Sequence, residues 1–218
     1  MNQDQKNNMS SSSLFSSKSS DLSGEIIIPG DKSISHRCII LSSLAIGESK
    51  ITGLLNSSGI NCTINSMISL GSCIDLNSSD ECIINGIGIG SLKQSETPLD
   101  FGNSGTAARL ILGLVSTYPI ETRFIGDESL SQRPMKRVTE PLVDFGANFN
   151  LRNSEFLPIE VKGAEYPIPI THELKVASAQ VKSAIMLAGL NTPGITTIIE
   201  KEKTRDHTET LFKYYGYE

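Results

Sequence analysis

The sequence predicts an α/β domain built from three copies of one helix-and-strand unit around a pseudo-threefold axis, with the third copy incomplete. Two observations support this prediction. Three stretches with helical apolar spacing run into a glycine, at Gly71, Gly146 and Gly216, and these glycines lie 75 and 70 positions apart. Each stretch follows a second helical stretch that opens with small polar residues and leads into a strand. Recurrence at a nearly constant length indicates one repeated structural unit.

The first helix of each predicted unit opens at a polar cluster and is followed by a β-branched strand. The three stretches are KSISHRCIILSSLAIGESKITGL, GNSGTAARLILGLVSTYPIETRFIG and ASAQVKSAIMLAGLNTPGITTIIE. In the third, the buried face is predicted from i, i+3, i+4, i+7 spacing, and residues 195–199 form the strand. That face consists of Val181, Ala184, Ile185 and Ala188. A shorter apolar run before the first helix, Ile26 to Ile28, is also typical of a strand.

The second helix of each unit has one apolar stripe. The stripes are Ile60, Ile64, Met67 and Ile68; Met135, Val138, Leu142 and Phe145; and Thr208, Leu211, Phe212 and Tyr215. A glycine directly after such a stripe suits the left-handed residue that ends a helix. We therefore expect three amphipathic helices that end alike.

A pair of short strands closes the first two units. These pairs are CIDLNSSDECIINGIG and ANFNLRNSEFLPIEVKG, and 17 positions separate Gly71 from Gly88 and Gly146 from Gly163. A third pair would need about fifteen further residues after Gly216. We therefore expect a truncated domain over residues 24–218, with repeats at about 24–90, 91–165 and 166–218, no second domain, and a disordered Ser-rich leader at 1–23.

Composition narrows the classes of ligand. The 218 residues include 38% apolar side chains and have a formal net charge of −5, which argues against a broad nucleic-acid surface. No apolar run approaches the length of a membrane span, so we expect a cytoplasmic protein. The four cysteines, Cys38, Cys62, Cys73 and Cys82, form no CxxC pair and are expected to be buried thiols rather than metal ligands.

Groups that bind anions recur where the first helices begin. They are Lys32, Ser33 and Arg37; Asn103, Ser104, Gly105 and Thr106; and Ser178 and Gln180. Helix starts present free N–H groups and a partial positive charge to phosphate or carboxylate. For any one cluster, simple helix capping is the more common explanation. Three equivalent units, however, would bring the three clusters together at one end of the domain, around a common opening.

Two arginines stand just before the second helix of their unit and are expected to lie at the same opening. Arg133 stands before Pro134, which fits the first helical position, and Arg205 stands before Asp206. A local ion pair between Arg205 and Asp206 is the alternative. His36 and His207 are expected to be structural, because neither has a nucleophile at a recognisable spacing.

The motifs PGDKSISHR, LDFGNSGTAARL, QRPM, ASAQVKSAIMLAGLNTPG and TRDHTE, in that order, resemble the N-terminal half of the 5-enolpyruvylshikimate-3-phosphate (EPSP) synthase family over about Gly24–Glu218. The resemblance implies an enolpyruvyl transferase-like domain of three βαβαββ units. It also implies transfer of the enolpyruvyl group of phosphoenolpyruvate to the 5-hydroxyl of shikimate 3-phosphate, with release of phosphate. Members of this family use no cofactor, and the complete enzyme is expected to be a monomer.

The resemblance also assigns site residues by position. It implies that shikimate 3-phosphate is bound by Lys32, Ser33, Arg37, Ser178, Ala179, Gln180 and Arg205, and phosphoenolpyruvate by Lys32, Gly105, Arg133 and Gln180. Lys32 is implicated in proton transfer. The inhibitor glyphosate occupies the phosphoenolpyruvate site in this family, and glycine at position 105 suggests room for it. Leu110 stands where other members have proline, so sensitivity to the inhibitor stays open.

Two alternatives remain open. The family's acid/base carboxylates belong to the other half of the enzyme, so we expect the isolated chain to be inactive, and a non-catalytic metabolite-binding module is one alternative. The other is the related transferase acting on UDP-N-acetylglucosamine. That family has Lys-Asn near its start, whereas this chain has Lys32-Ser33.

Overall fold

The computed structural model describes residues 13–76 and 81–217. In chain order its elements are α1 (Lys32–Leu44), β1 (Ile46–Thr52), α2 (Ser58–Ser69), β2 (Cys73–Leu76), β3 (Glu81–Ile87), β4 (Leu99–Asp100), α3 (Gly105–Val115), β5 (Glu121–Ile125), a 3-10 turn (Leu130–Gln132), α4 (Lys136–Val143), β6 (Asn148–Arg152), β7 (Phe156–Lys162), β8 (Thr171–Glu173), α5 (Ala179–Leu190), β9 (Thr197–Ile199) and α6 (His207–Tyr214).

Helices α1, α3 and α5 begin at the polar clusters, as predicted. The side chains of Asp31, Ser104 and Ser178 accept hydrogen bonds from the backbone N–H groups three residues later, as N-cap residues do. The strongest of these caps is the bond from Ile34 N–H to Asp31 Oδ1, at 2.8 Å. The capping side chains fix where each helix starts and therefore where its free N–H groups point.

Helices α2, α4 and α6 end at the predicted glycines. Gly71, Gly146 and Gly216 have φ of 104°, 104° and 81°, the left-handed conformation that lets the chain turn away from a helix. The stripe of α4 is fully buried, whereas Ile68, assigned to the stripe of α2, is 45% exposed. Ile68 follows the fully buried Met67 directly, so its side chain points away from the face that packs.

The strands form three separate sheets. Their orders are β1-β3-β2, β4-β5-β7-β6 and β8-β9. The two predicted strand pairs are antiparallel hairpins, β2 with β3 and β6 with β7. The second strand of each hairpin, β3 or β7, also pairs with the strand that follows the first helix. The turn of the first hairpin, residues 77–80, lies outside the described residues.

The core lies between the sheets and around α3. Helix α3 is buried along almost its whole length, and it packs closely against α5. A Cβ placed on Gly113 of α3 would lie 2.2 Å from the backbone oxygen of Ala184 in α5, so only glycine permits this approach. The close crossing brings the N-terminal ends of α3 and α5 to one side of the domain.

Four element predictions were wrong or incomplete. Ile26–Ile28 forms no strand, and its side chains are 77–98% exposed because no described strand pairs with it. The short strands β4 and β8 were missed, and β9 is shorter than residues 195–199. Helix α4 begins at Lys136 rather than at Pro134: Met135 is its N-cap, and the Met135 carbonyl accepts the first helical bonds, from the N–H groups of Val138 at 2.9 Å and Thr139 at 3.1 Å.

Other expectations fall partly outside the described residues or were partly wrong. Residues 1–12 of the predicted leader are not described, and residues 13–23 form no helix or strand and are exposed, so their disorder stays a prediction. The cysteines are unpaired thiols, but only Cys82 is buried: Cys38 and Cys62 are partly exposed and Cys73 is exposed. None of the described helices combines the length and apolarity needed to cross a bilayer.

Candidate anion-binding site

The starts of α1, α3 and α5 border one cavity of about 330 Å³. Its wall consists of Asp31, Lys32, Ser33, Arg37, Thr106, Ser178, Ala179, Gln180 and Arg205. All seven residues predicted to bind shikimate 3-phosphate therefore lie in one wall, although the sequence spreads them over more than 170 positions. Three helix starts and three cationic side chains face the same space, which favours a bound anion.

Arg37 lies in the floor of this cavity, and only 3% of it is exposed. Its guanidinium donates to the backbone oxygen of Ser33 at 2.9 Å and to Ser33 Oγ at 2.6 Å. It also donates to Ser183 Oγ of α5 and to Thr208 Oγ1 of α6, each at 2.6 Å. The side chain is thereby fixed by α1, α5 and α6 together.

The hydrogen-bond partners of Arg37 are all electrically neutral. Among the described residues no carboxylate forms a salt bridge with it. Burial lowers the pKa of the guanidinium, and the more distant charges of Glu209 and Asp31 offset this only in part. A buried cation is normally paired with an anion. An anionic ligand in the cavity would complete the pairing.

Lys32 is exposed at the first position of α1. Its aliphatic chain passes the start of α2, where a Cβ on Gly59 would lie 3.4 Å from Lys32 Cε. Contact with the start of α2 thus supports the aliphatic chain, and the ammonium group faces the cavity. Lys32 and Arg37 also lower the pKa of the buried imidazole of His36 to about 4, although burial itself is the largest cause.

Gln180 connects the starts of α3 and α5. Its amide Nε2 donates to Thr106 Oγ1 at 3.0 Å, and its Oε1 accepts from Arg109 Nη1 at 3.1 Å. Arg109 also donates to the backbone oxygens of Gly105 and Pro134, each at 3.3 Å. One arginine therefore joins α5, the start of α3 and the segment that precedes α4.

Gly105 and Arg133 lie beside each other at the edge of the cavity rather than in its wall. A Cβ on Gly105 would lie 2.7 Å from Arg109 Nη1 and 3.6 Å from Arg133 Nη1. Arg133 is held by Asn103 Oδ1 at 2.6 Å and by Ser129 Oγ at 3.0 Å. The glycine leaves two guanidinium groups facing the start of α3, which forms a second place for an anion.

The cations of this region outnumber its carboxylates. Burial lowers the pKa of Arg109, and the neighbouring charges of Arg137 and Arg133 lower it further. Asp31 is the one carboxylate in the cavity wall, and its bond from the Ile34 N–H lowers its pKa and occupies it in capping. An unpaired cluster of this kind is stabilised when a phosphate or carboxylate binds.

Sequence reasoning found most of the site but missed Arg109. Its position four residues after Gly105 places both on one face of a helix, and this spacing was the available signal. The Arg205–Asp206 ion pair does not occur among the described residues, and Asp206 makes no side-chain capping bond. Lys136 pairs with Glu140 on the surface, at 3.6 Å, and does not face the cavity.

A larger hollow of about 610 Å³ lies elsewhere, over the outer face of the sheet β4-β5-β7-β6. Its charged residues belong to surface pairs, such as Lys162 with Glu121 at 3.3 Å. No buried cation lines it, so it provides no comparable reason for an anion to bind. The smaller cavity at the helix starts is the better candidate for a functional site.

The fold and the site together define an α/β domain with a cationic cavity, suited to small anionic ligands, where three helices begin. Comparison with known proteins identifies its family. Residues 16–218 match the family model described as EPSP synthase (3-phosphoshikimate 1-carboxyvinyltransferase), and the chain belongs to this family.

Curated relatives and solved structures agree with this assignment. The 3-phosphoshikimate 1-carboxyvinyltransferase of Parvibaculum lavamentivorans is 51% identical over 209 residues, which cover 96% of this chain and 46% of the relative. That of Zymomonas mobilis is 51% identical over 93% of this chain and 45% of the relative. A crystallised EPSP synthase from Acinetobacter baumannii superposes with a TM-score of 0.85 at 38% identity, covering 89% of this chain and 44% of the other. The chain thus spans less than half the length of these relatives.

Proposed function

We propose that this chain forms the shikimate 3-phosphate-binding half of an enzyme that transfers the enolpyruvyl group of phosphoenolpyruvate to the 5-hydroxyl of shikimate 3-phosphate, releasing inorganic phosphate. The observation that supports this most directly is the buried Arg37 guanidinium, which has neutral partners only and faces a cavity shared with Lys32 and Arg205. A phosphate monoester supplies the missing negative charge. Membership of the EPSP synthase family supplies the identity of that ester.

We assign the cavity wall to shikimate 3-phosphate. Ser33, Arg37 and Arg205 bind its phosphate, while Ser178, Ala179 and Gln180 offer the start of α5 to the remainder of the molecule. The free N–H groups of that helix start and the guanidinium groups suit the negative charge of the ester. The hydroxyl that reacts then lies toward α3, on the side of Gln180 that contacts Thr106.

Phosphoenolpyruvate is assigned to the neighbouring cluster at the start of α3. Gly105 leaves space beside Arg133, and Gln180 and Lys32 lie between the two ligands. The reaction protonates the methylene carbon of phosphoenolpyruvate while the 5-hydroxyl attacks the adjacent carbon, and phosphate leaves from the tetrahedral intermediate. Cations fixed at these positions stabilise the phosphate and carboxylate charges throughout.

We also propose how the domain is organised. The three inner helices, each with a cap at its start, belong to three repeats at about 24–90, 91–165 and 166–218 that are related by a pseudo-threefold axis. Their starts meet at the cavity, which explains why residues from all three repeats line it. We propose further that the complete enzyme is a cytoplasmic monomer that needs no metal or organic cofactor.

The isolated chain is proposed to bind its ester without turning it over. The reaction needs a group that removes the proton of the 5-hydroxyl, and the single carboxylate in the described cavity wall, Asp31, caps α1. The test is calorimetric titration of the 218-residue chain with shikimate 3-phosphate, followed by a phosphate-release assay with both substrates. We expect saturable binding and no release of phosphate.

Two arginine variants and one control make this titration specific. Arg37→Gln and Arg205→Gln each remove a charged contact, and each should weaken binding by about ten- to a hundredfold. Lys162→Gln removes a cation on the distant sheet and should change nothing, because that side chain is 68% exposed. A folded wild-type chain that fails to bind shikimate 3-phosphate would overturn the proposed function, and release of phosphate would overturn the half-site proposal.

A further inference from the structure

A buried lysine lies directly behind the wall of the anion-binding cavity. Lys182 of α5 is 4% exposed, and its ammonium Nζ contacts Glu200 Oε2 at 3.0 Å and Glu209 Oε1 at 2.6 Å. Burial alone would lower the pKa of this ammonium, but the hydrogen bonds and charges of the two glutamates outweigh burial and raise it. Lys182 is therefore a fixed cation, although it does not line the cavity.

The first glutamate connects Lys182 to the segment that carries Arg205. Glu200 Oε1 accepts the backbone N–H of Thr204 at 2.9 Å and also accepts its hydroxyl. These bonds and the contact with Lys182 lower the pKa of Glu200, the Thr204 hydroxyl being the largest cause. Among the described residues the Arg205 side chain makes no hydrogen bond or salt bridge, so its position depends on the backbone at Thr204.

The second glutamate connects Lys182 to the helix that holds Arg37. Glu209 is in the first turn of α6, directly after Thr208. Thr208 Oγ1 is the acceptor for Arg37 Nε at 2.6 Å and also bonds Ser183 Oγ at 2.7 Å. One ammonium group thus fixes the backbone beside both arginines that face the ligand phosphate.

We propose that Lys182 is a positioning residue of this site, acting through Glu200 on Arg205 and through Glu209 on Arg37. The inference rests on the proposed function, because it assigns the two arginines to the phosphate of the bound ester. Lys182 itself touches no ligand. It sets the distance between two cations that must bind one phosphate group together.

The energetics of buried ion pairs favour positioning over stability as the role of this cluster. Desolvation of the charges offsets most of their attraction, and well-packed apolar residues often replace such groups without loss of stability. Three charged groups with directed hydrogen bonds do, however, fix geometry, which apolar packing does less well. A precise spacing of Arg37 and Arg205 is what a bidentate phosphate site requires.

The first test is a double-mutant cycle between Glu200 and Arg205, read out by calorimetric titration of the 218-residue chain with shikimate 3-phosphate. Glu200→Ala removes the acceptor for Thr204 and should weaken binding about fivefold, while Arg205→Gln weakens it more. In the Arg205→Gln background the Glu200→Ala change should have an effect below about twofold, because its effect passes through the missing arginine. A merely structural role would give the same loss in both backgrounds.

The matched control lies on the same segment. Lys201 pairs with Glu173 at the surface, with exposed fractions of 70% and 50%, so Lys201→Gln should leave the affinity unchanged. Lys182→Met tests the lysine directly and should weaken binding at least as much as Glu200→Ala. If Lys182→Met does not fold, Lys182→Gln takes its place, because the Glu200–Arg205 cycle tests the glutamate and not the lysine.

Hydrogen exchange provides a readout that needs no ligand. The Thr204 amide should exchange at least about tenfold faster in Glu200→Ala than in wild type or Lys201→Gln, because its acceptor is gone. Unchanged exchange at Thr204, or equal affinity losses in both arginine backgrounds, would overturn the positioning role while leaving the proposed function intact. Absence of shikimate 3-phosphate binding in the wild-type chain would instead overturn both.

Discussion

Replacing Gly113 by alanine should destabilise the domain and loosen the anion-binding site together. Gly113 lies where α3 crosses α5, and an added Cβ would lie 2.2 Å from the backbone oxygen and 2.6 Å from the Cα of Ala184. Ordinary contact begins at 3.4 Å, so the two helices would have to move apart by about 1.2 Å at the crossing. Backbone atoms cannot rotate away as a side-chain end can.

The expected loss of stability follows from two opposing effects. Overpacking of this kind costs about 1–3 kcal/mol, and the contact with rigid backbone places Gly113→Ala near the upper end of that range. Alanine recovers about 1 kcal/mol of helix propensity. The net loss is therefore about 2 kcal/mol, which lowers the melting temperature of a chain of this size by roughly 4–8 °C.

The loss of affinity has the same origin. The hydrogen bond from Gln180 Nε2 to Thr106 Oγ1, 3.0 Å long, joins the starts of the two helices, and a displacement of about 1 Å would break it. Binding of shikimate 3-phosphate should weaken severalfold. Urea unfolding and calorimetric titration measure the two effects on the same protein.

Gly189 provides the matched control. It is also a helix glycine, near the end of α5, but its added Cβ would lie 3.2 Å from Thr196 Cβ, a tight contact that a shift of a few tenths of an ångström relieves. Gly189→Ala should change the free energy of unfolding by less than about 1 kcal/mol, because the propensity gain offsets the tighter contact. If Gly113→Ala is no more destabilising than Gly189→Ala, the close helix crossing does not constrain this fold.

Three further predictions concern the site and its support. Gly105→Ala should leave the free energy of unfolding within about 1 kcal/mol of wild type, since the added Cβ meets the movable end of Arg109. The same change should weaken anion binding at the start of α3, which titration with phosphoenolpyruvate would measure. His36 is buried, and its pKa is lowered to about 4 from 6.5. Its contribution to stability, about 3 kcal/mol, is therefore complete above about pH 6.5 and is lost as the pH falls toward 4. Urea unfolding at several pH values should show this loss, and His36→Gln should reduce the dependence on pH. Asp31→Ala should cost about 1 kcal/mol of helix stability while Asp31→Asn stays close to wild type, because asparagine caps equally well, and thermal unfolding of both variants compares them.

Local signals were sufficient to predict the helices. A polar N-cap marks α1, α3 and α5, and an apolar stripe with a glycine after it marks α2, α4 and α6. Each signal lies within about fifteen residues, so the six helices could be placed before any tertiary contact was known. The burial of Met135, Val138, Leu142 and Phe145 in one stripe followed from the same periodicity.

Features that depend on distant partners were not predictable in this way. The strand pattern of Ile26–Ile28 says nothing about whether another strand lies beside it, and among the described residues none does. The segment before α4 is held by Glu155, twenty residues after Met135, whose carbonyl accepts the Met135 N–H, and no local pattern indicates that bond. Strands β4 and β8 are too short to show an alternating pattern.

The residues of the candidate site also divide into those that local patterns reveal and those whose role depends on distant partners. Helix-start clusters revealed Lys32, Ser33 and Gln180, because capping chemistry is local. Arg109 was missed since its importance comes from Gln180, which lies 71 positions later in the sequence. The neutral environment of Arg37 likewise depends on Ser183 and Thr208, and no pattern around position 37 indicates them.

The bond between Arg37 and Thr208 spans 171 positions, so the proposed phosphate site is complete only in molecules whose first and last described helices have both docked. A ligand that binds only such molecules shifts the population toward them by mass action. Partly folded chains lacking a docked α6 would neither bind the ester nor gain its protection. Saturating shikimate 3-phosphate should therefore shield the segment around Thr208 from proteases more than a local contact would, and substrate supply would influence how long each newly made chain survives.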